Sequence, residues 1–196
     1  MQMRKFLWVL LLWPALVSAH HGDRKDAHGL RNVTLLIIRH AEKPDQGSGL
    51  SPRGEQRATA YASYFDPLQL DGAAVLPQRL IATSDSNASV RPRLTLTPLA
   101  AHLQLPIEQP WADDQVDDLA RELRKKNEAP VVLIAWHHGH IVKLIEALGG
   151  DAKQLLGRKT WPGDVYNWVV VLHFDGQGRL NESASWLVQE HLLPGD

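Results

Sequence analysis

The 196-residue chain contains no cysteine. That excludes disulfide staples, thiolate metal sites and cysteine nucleophiles in any compartment, so stability has to come from packing. An excess of one charge is missing as well: 21 Lys and Arg face 22 Asp and Glu, for a formal net charge of −1. A dominant polyanion-binding surface is therefore not expected, and neither is a nucleic-acid partner, although a few arginines can still gather in a pocket. Long apolar runs are scarce. The most extended, Phe6 to Val17, is shorter than the roughly 20 residues that cross a bilayer and is interrupted by Pro14. Internal repeats and low-complexity tracts are absent.

What is present begins with a leader pattern. Arg4 and Lys5 precede the apolar run, and Val17-Ser18-Ala19 supplies the small residues that a signal peptidase requires. The expectation is a signal peptide over 1–19 cut after Ala19, a periplasmic or secreted protein, and no stable membrane insertion after cleavage. Residues 20–32 are polar and rich in His, Gly and charge, which reads as a flexible N-terminal arm. One domain over 33–196 follows, since the length gives no case for two.

Val33 to Ile38 is an aliphatic, β-branched run, the pattern of a strand covered on both faces, and it delivers Arg39-His40 at its carboxyl end. Ser51-Pro52 reads as an N-cap and first helical residue, with the helix running to about Phe65. Arg79 to Thr83 is a second strand. The helix after Ser84 to Ser89 carries Pro92 near its start, and Pro98 argues for a kink or a late start. Asp113 to Lys126 has acids early and bases late, as a helix dipole favours. Val131 to Trp136 is the strongest strand; Gly139 to Leu148 is helical and stops at Gly149-Gly150. Val165 to Phe174 and Leu180 to Val188 read as a terminal hairpin. Strands alternating with helices predict an α/β fold, a three-layer α/β/α sandwich with a mainly parallel central sheet.

Such sheets bind ligands just beyond the carboxyl ends of their strands. Two histidine-bearing junctions fall there: Arg39-His40, and His137-His138-Gly139-His140 at the start of a helix. Helix-start amides attract anions, and Arg39 with Arg91 or Arg93 can offer planar forks of donors. Two imidazoles and two guanidiniums around one anion make a phosphate pocket. A neutral imidazole can attack phosphorus directly, and the phosphoramidate it forms is hydrolysed by water, so the chemistry needs no metal and no cofactor.

Four segments carry a family resemblance. Arg39-His40-Ala41-Glu42 resembles the Arg-His-Gly signature of the histidine phosphatase superfamily, with alanine in place of glycine. Leu50-Ser51-Pro52-Arg53-Gly54 is similar to its entry to the first helix, and Ser89-Val90-Arg91-Pro92-Arg93-Leu94-Thr95 to its second arginine segment. Trp136-His137-His138-Gly139-His140-Ile141 resembles the "W-x-H-x-x-I" motif of a less common branch, and Trp161-Pro162-Gly163-Asp164 also looks like that branch. The resemblance implies a phosphoglycerate mutase-like fold and a phosphatase acting on phosphomonoesters, exported if the leader pattern is read as above. It makes His40 the nucleophile, with Arg39, Arg91 and His138 on the phosphoryl group, and His137 in place of His138 if the commoner four-residue spacing to isoleucine holds. Ser51 joins Arg39, Arg91 and His138 as a substrate-binding candidate. Glu42, Glu108 and Asp113 are candidate proton donors, with Asp114 beside them. Trp111, Trp136 and Trp161 sit near loop ends and could wall a substrate, core packing being the simpler role for Trp136.

The expected partner is a small phosphorylated substrate, an envelope glycan or a scavenged phosphoester. Two other classes compete: a non-catalytic phosphate or phosphoglycan-binding module with the same pocket, and a metal-binding protein using His137, His138 and His140 together with His20-His21.

Overall fold

The computed structural model describes residues 29–196. The leader over 1–19 and most of the arm therefore lie outside the described residues. The arm's last four residues, 29–32, are packed rather than loose: Leu30 is 2 % exposed within the core, the Gly29 amide donates to the Arg124 carbonyl at 3.2 Å and the Asn32 amide to Asp175 at 3.0 Å. Leucine in an otherwise polar stretch is what anchors it.

β1 (Thr34–Arg39), β4 (Arg79–Ala82), β5 (Ile107–Glu108) and β6 (Val131–Trp136) form the parallel part of a six-stranded sheet ordered β5-β4-β6-β1-β7-β8. β7 (Trp168–His173) runs antiparallel to β1, and β8 (Trp186–Gln189) antiparallel to β7. This is the expected mainly parallel sheet closed by a terminal hairpin. β8 is shorter than the sequence suggests, because a single helical turn, Glu182–Ala184, occupies part of the return. A small hairpin of β2 (Leu68–Leu70) and β3 (Ala73–Val75) turns at Asp71-Gly72, both with positive φ.

Strand alternation builds two cores. Leu36, Ile38, Leu80, Ala82, Leu133 and Ala135 face α1 (Pro52–Tyr64) and α2 (Arg91–Leu103). Leu35, Ile37, Val132, Ile134 and Trp136 face α3 (Val116–Lys125), α4 (His138–Ala147) and α5 (Ala152–Leu156). Three layers follow from that division. α2 begins at Arg91 and carries Pro98 in its interior, so the late start does not occur. Among the described residues no helix is long and apolar enough to cross a membrane.

Register is what positions the site. β1 and β6 pair in parallel with Arg39 opposite Trp136, and the His40 amide donates to the Trp136 carbonyl at 2.9 Å. The next residue on each strand, His40 and His137, therefore emerges side by side at the carboxyl edge.

Candidate active site

His40 is 2 % exposed and sits on a loop held from both sides. The Ala41 amide donates to Thr95 Oγ1 at 2.8 Å, tying the loop to α2, and the Ser51 amide donates to the Glu42 carbonyl at 2.9 Å. Gly54 has to be glycine, since a Cβ there would overlap the Glu42 carbonyl oxygen; the glycine of the helix-entry motif is what lets α1 close on this loop. His40 Nδ1 lies 2.7 Å from the Ala41 carbonyl oxygen, a bond that only a protonated Nδ1 can make. That fixes the tautomer and leaves the Nε2 lone pair free. Burial, reinforced by the neighbouring His137, Arg39 and Arg91 charges and only partly offset by the Ala41 bond, pulls the imidazole down to about 3. The ring is thus neutral across the ordinary pH range.

The ring beside it belongs to His137: the two centroids are 5.0 Å apart and the planes meet at 69°. His137 stands just before the first turn of α4 and is also lowered by burial, with Asp113 opposing and Arg91 assisting. His138, one step further along α4, lies toward the loop whose carbonyls grip Arg39. Its Nε2 approaches Gly163, and it too is lowered by burial, then by Arg39 and Lys43. Of the two candidate histidines, the geometry brings the His137 ring against His40, because parallel register sets residues 40 and 137 side by side.

Arg39, 1 % exposed, is gripped on one side only. Its Nη1 donates to the carbonyls of Gly163 (2.8 Å), Val165 (3.1 Å) and Pro162 (3.4 Å), while its Nε has no partner. Arg91, the first residue of α2, donates to Gly47 (3.2 Å) and Ala88 (3.4 Å), and its Nε is likewise buried and unpartnered. Arg93 instead pairs with Asp85 at 2.7 Å, so Arg91 is the arginine of this segment available to a ligand. Burial pulls both Arg39 and Arg91 below the usual guanidinium value. Neither is neutralised by a carboxylate contact.

Among the described residues, the buried side-chain atoms without a hydrogen bond lie on Arg39, Thr83, Arg91, Asp113, His138 and His140. These residues lie at or after the carboxyl ends of β1, β4, β5 and β6. His140 Nδ1 is 2.8 Å from Asp113 Oδ2 but outside hydrogen-bonding geometry, and Asp113 Oδ1 has no partner. The Nε–H donors of Arg39 and Arg91 at this edge of the sheet are groups that an oxyanion can satisfy.

Other sequence candidates are drawn away. Glu42 accepts from Arg57 (2.8 Å) and Arg53 (3.2 Å), which engages its carboxylate in ion pairs instead of proton donation. Glu108 forms a two-point pair with Arg79 at 2.8 and 2.7 Å, held toward the start of β4, away from the site. Ser51 Oγ accepts from the Gly54 amide at 3.1 Å and serves as the α1 cap, not as a ligand contact. Asp114 is exposed. Of the acids, Asp113 alone stays among the histidines, where its charge is felt by His137 and His138. Trp136 donates to the Asp113 carbonyl at 2.9 Å from within the core, and Trp161 to Val165 at 2.9 Å, so both indoles hold site loops in place. Trp111 packs on the edge of the core. No group of three His, Asp or Glu side chains is placed to hold a metal among the described residues; His20-His21 lie outside them.

Tyr166 was not anticipated. Its ring lies over the Arg39 guanidinium, 3.7 Å from Cζ to the centroid, and 6.2 Å from the His40 ring. The sequence pattern assigned it to a strand, but β7 starts two residues later and Tyr166 belongs to the loop over the site.

No family model matches the chain, and no curated protein does. Solved structures do share its fold. The phosphoserine phosphatase of Entamoeba histolytica, solved with 3-phosphoglyceric acid, superposes at a TM-score of 0.52 and 14 % identity over 82 % of this chain and 100 % of its own. A candidate phosphohistidine phosphatase SixA from Agrobacterium tumefaciens gives 0.51 and 19 % over 80 % and 98 %, and the alpha-ribazole phosphatase of Shigella flexneri 0.50 and 16 % over 81 % and 100 %. The architecture is therefore the phosphoglycerate mutase-like fold.

Proposed function

We propose that this protein is an exported phosphatase that hydrolyses phosphomonoesters through a phosphohistidine on His40. The observation that carries the reading is the His40 imidazole: neutral, with Nδ1–H bound to Ala41 and Nε2 free, set between His137 and two arginines whose Nε atoms have no partner. The phosphatases that share the fold support it, and the Arg4-Lys5 leader pattern supports export.

In this mechanism Nε2 attacks phosphorus in line with the departing oxygen. The P–N bond forms as the P–O bond breaks; Arg39, Arg91 and His137 hold the equatorial oxygens as charge spreads over them. Asp113, the candidate acid that remains at the site, delivers a proton to the leaving oxygen. Water then attacks the phosphohistidine, returning its proton to Asp113 and releasing inorganic phosphate and neutral His40. No step calls for a metal. The substrate reaches the site from outside the cytosol, as a phosphorylated glycan or a scavenged phosphoester.

The test is turnover of an aryl phosphate with wild type and His40→Ala. Expected are activity that survives a chelator, inhibition by vanadate, an acid-labile phosphoryl group trapped on residue 40, and loss of activity by at least about 10³-fold in the variant. Complete loss of wild-type turnover on chelation overturns it. Phosphate binding with neither turnover nor labelling assigns the same pocket to a binding module.

A further inference from the structure

The resemblance of the motifs accounts for His40 and the arginines but not for Tyr166, which stacks on one of them. Three observations bear on what it does. First, the Arg39 Nη1 hydrogens are fully engaged by the Pro162, Gly163 and Val165 carbonyls. The guanidinium edge that binds an oxyanion with two parallel bonds, Nε–H with Nη2–H, is the other one, and Nε there has no partner. Second, the face of the guanidinium is covered by the Tyr166 ring at 3.7 Å. A planar cation held at one end by carbonyls can still rotate about its long axis; a ring on its face removes that freedom and keeps water off it. Third, the carbonyl cage and the ring come from the same short loop, whose shape is fixed by Trp161 donating to Val165 at 2.9 Å and stacking edge-on against Trp168 at 5.3 Å.

We infer that Tyr166 is a positioning residue: its ring sets the plane of Arg39 so that the Nε/Nη2 edge meets the phosphoryl oxygens. The inference rests on the phosphate-pocket reading above. The ring is half-buried, 6.2 Å from His40, and close enough for its phenol to interact electrostatically with both Arg39 and Arg91, so it forms the wall between loop and pocket. If its role is to hold a plane, any flat ring of similar size suffices.

The experiment measures binding of inorganic phosphate by calorimetry, and kcat and KM on an aryl phosphate, for wild type, Tyr166→Phe, Tyr166→Ala, Arg39→Met and the Tyr166→Ala/Arg39→Met double variant. Thermal unfolding of each confirms that it folds. Phe should stay within about twofold of wild type, while Ala weakens phosphate binding and kcat/KM roughly tenfold, the size of a desolvated cation–π contact. In the Arg39→Met background Tyr166→Ala should add nothing, an outcome a merely structural role would not produce. Phe behaving like Ala, Ala behaving like wild type, or an Ala effect of undiminished size without Arg39 would each overturn the inference. A wild type that neither binds phosphate nor turns over substrate would instead overturn the phosphate-pocket reading, and this inference with it.

Discussion

Two buried arginines, Arg57 and Arg39, are each 1 % exposed, and they could hardly be satisfied more differently. Arg57 reaches Glu42 at 2.8 Å, Asp196 at 2.6 Å and Glu190 at 3.2 Å, and Tyr61 closes the set by donating to both Glu190 oxygens at 3.0 Å. Arg39 is held by carbonyl dipoles and by Tyr166, whose ring covers its face. A guanidinium surrounded by carboxylates has its charge cancelled and offers nothing to an incoming anion. One held by carbonyls is fixed in place with its charge intact. Burial alone therefore does not separate structural arginines from ligand-binding ones; the nature of the acceptors does. The two clusters also cooperate, because Glu42, two residues after His40, anchors the His40 loop to Arg57.

The largest effect should come from breaking the neutralised cluster. Arg57→Met leaves Glu190 buried without its cation and Glu42 with Arg53 alone, and should cost about 3–5 kcal/mol of folding stability in a denaturant titration. Arg91→Met removes a charge that has no carboxylate partner, so stability should change by less than about 1 kcal/mol while kcat falls about 10²- to 10³-fold. If Arg91→Met destabilised the protein as much as Arg57→Met, the distinction between the clusters would be void.

A sharper division lies within the unneutralised cluster. His137→Ala should lower kcat on an aryl phosphate about 10²-fold, near 3 kcal/mol of transition-state stabilisation, whereas His138→Ala should cost less than tenfold. The reverse order would return the phosphoryl contact to His138.

Much of this was legible in the residues, and the failures have physical causes. The β1 and β6 runs are apolar enough to be strands on any reading, so both histidine junctions were placed correctly at the carboxyl edge. Which histidine of the pair 137–138 faces His40 was not, because that depends on strand register, a property of two segments almost a hundred residues apart. Glu42 and Glu108 looked available because ion-pair partners at Arg57 and Arg79 leave no local mark in sequence. Tyr166 was hidden by continuity: the apolar pattern runs from Val165 into β7, but the strand begins only at Trp168, and Val165 belongs to the loop whose carbonyls grip Arg39.

The smallest effect tests whether the His40 ring is neutral in the folded protein. Burial, with the positive charges around it, brings its folded value to about 3, below the ordinary 6.5. Between those values the unfolded chain takes up a proton that the folded chain refuses. The stabilising contribution is then fully present above pH 6.5 and is lost as pH falls toward 3, reaching a loss of about 2 kcal/mol at pH 5. His40→Asn has no such term. Glu190, which burial pushes up to about 8, shifts stability the opposite way on acidification, but it does so in both proteins and cancels in their difference. Urea unfolding at pH 7 and pH 5 should therefore show wild type losing about 2 kcal/mol more than His40→Asn. Equal losses would mean that His40 already carries its proton in the fold, and a protonated ring has no lone pair with which to attack phosphorus.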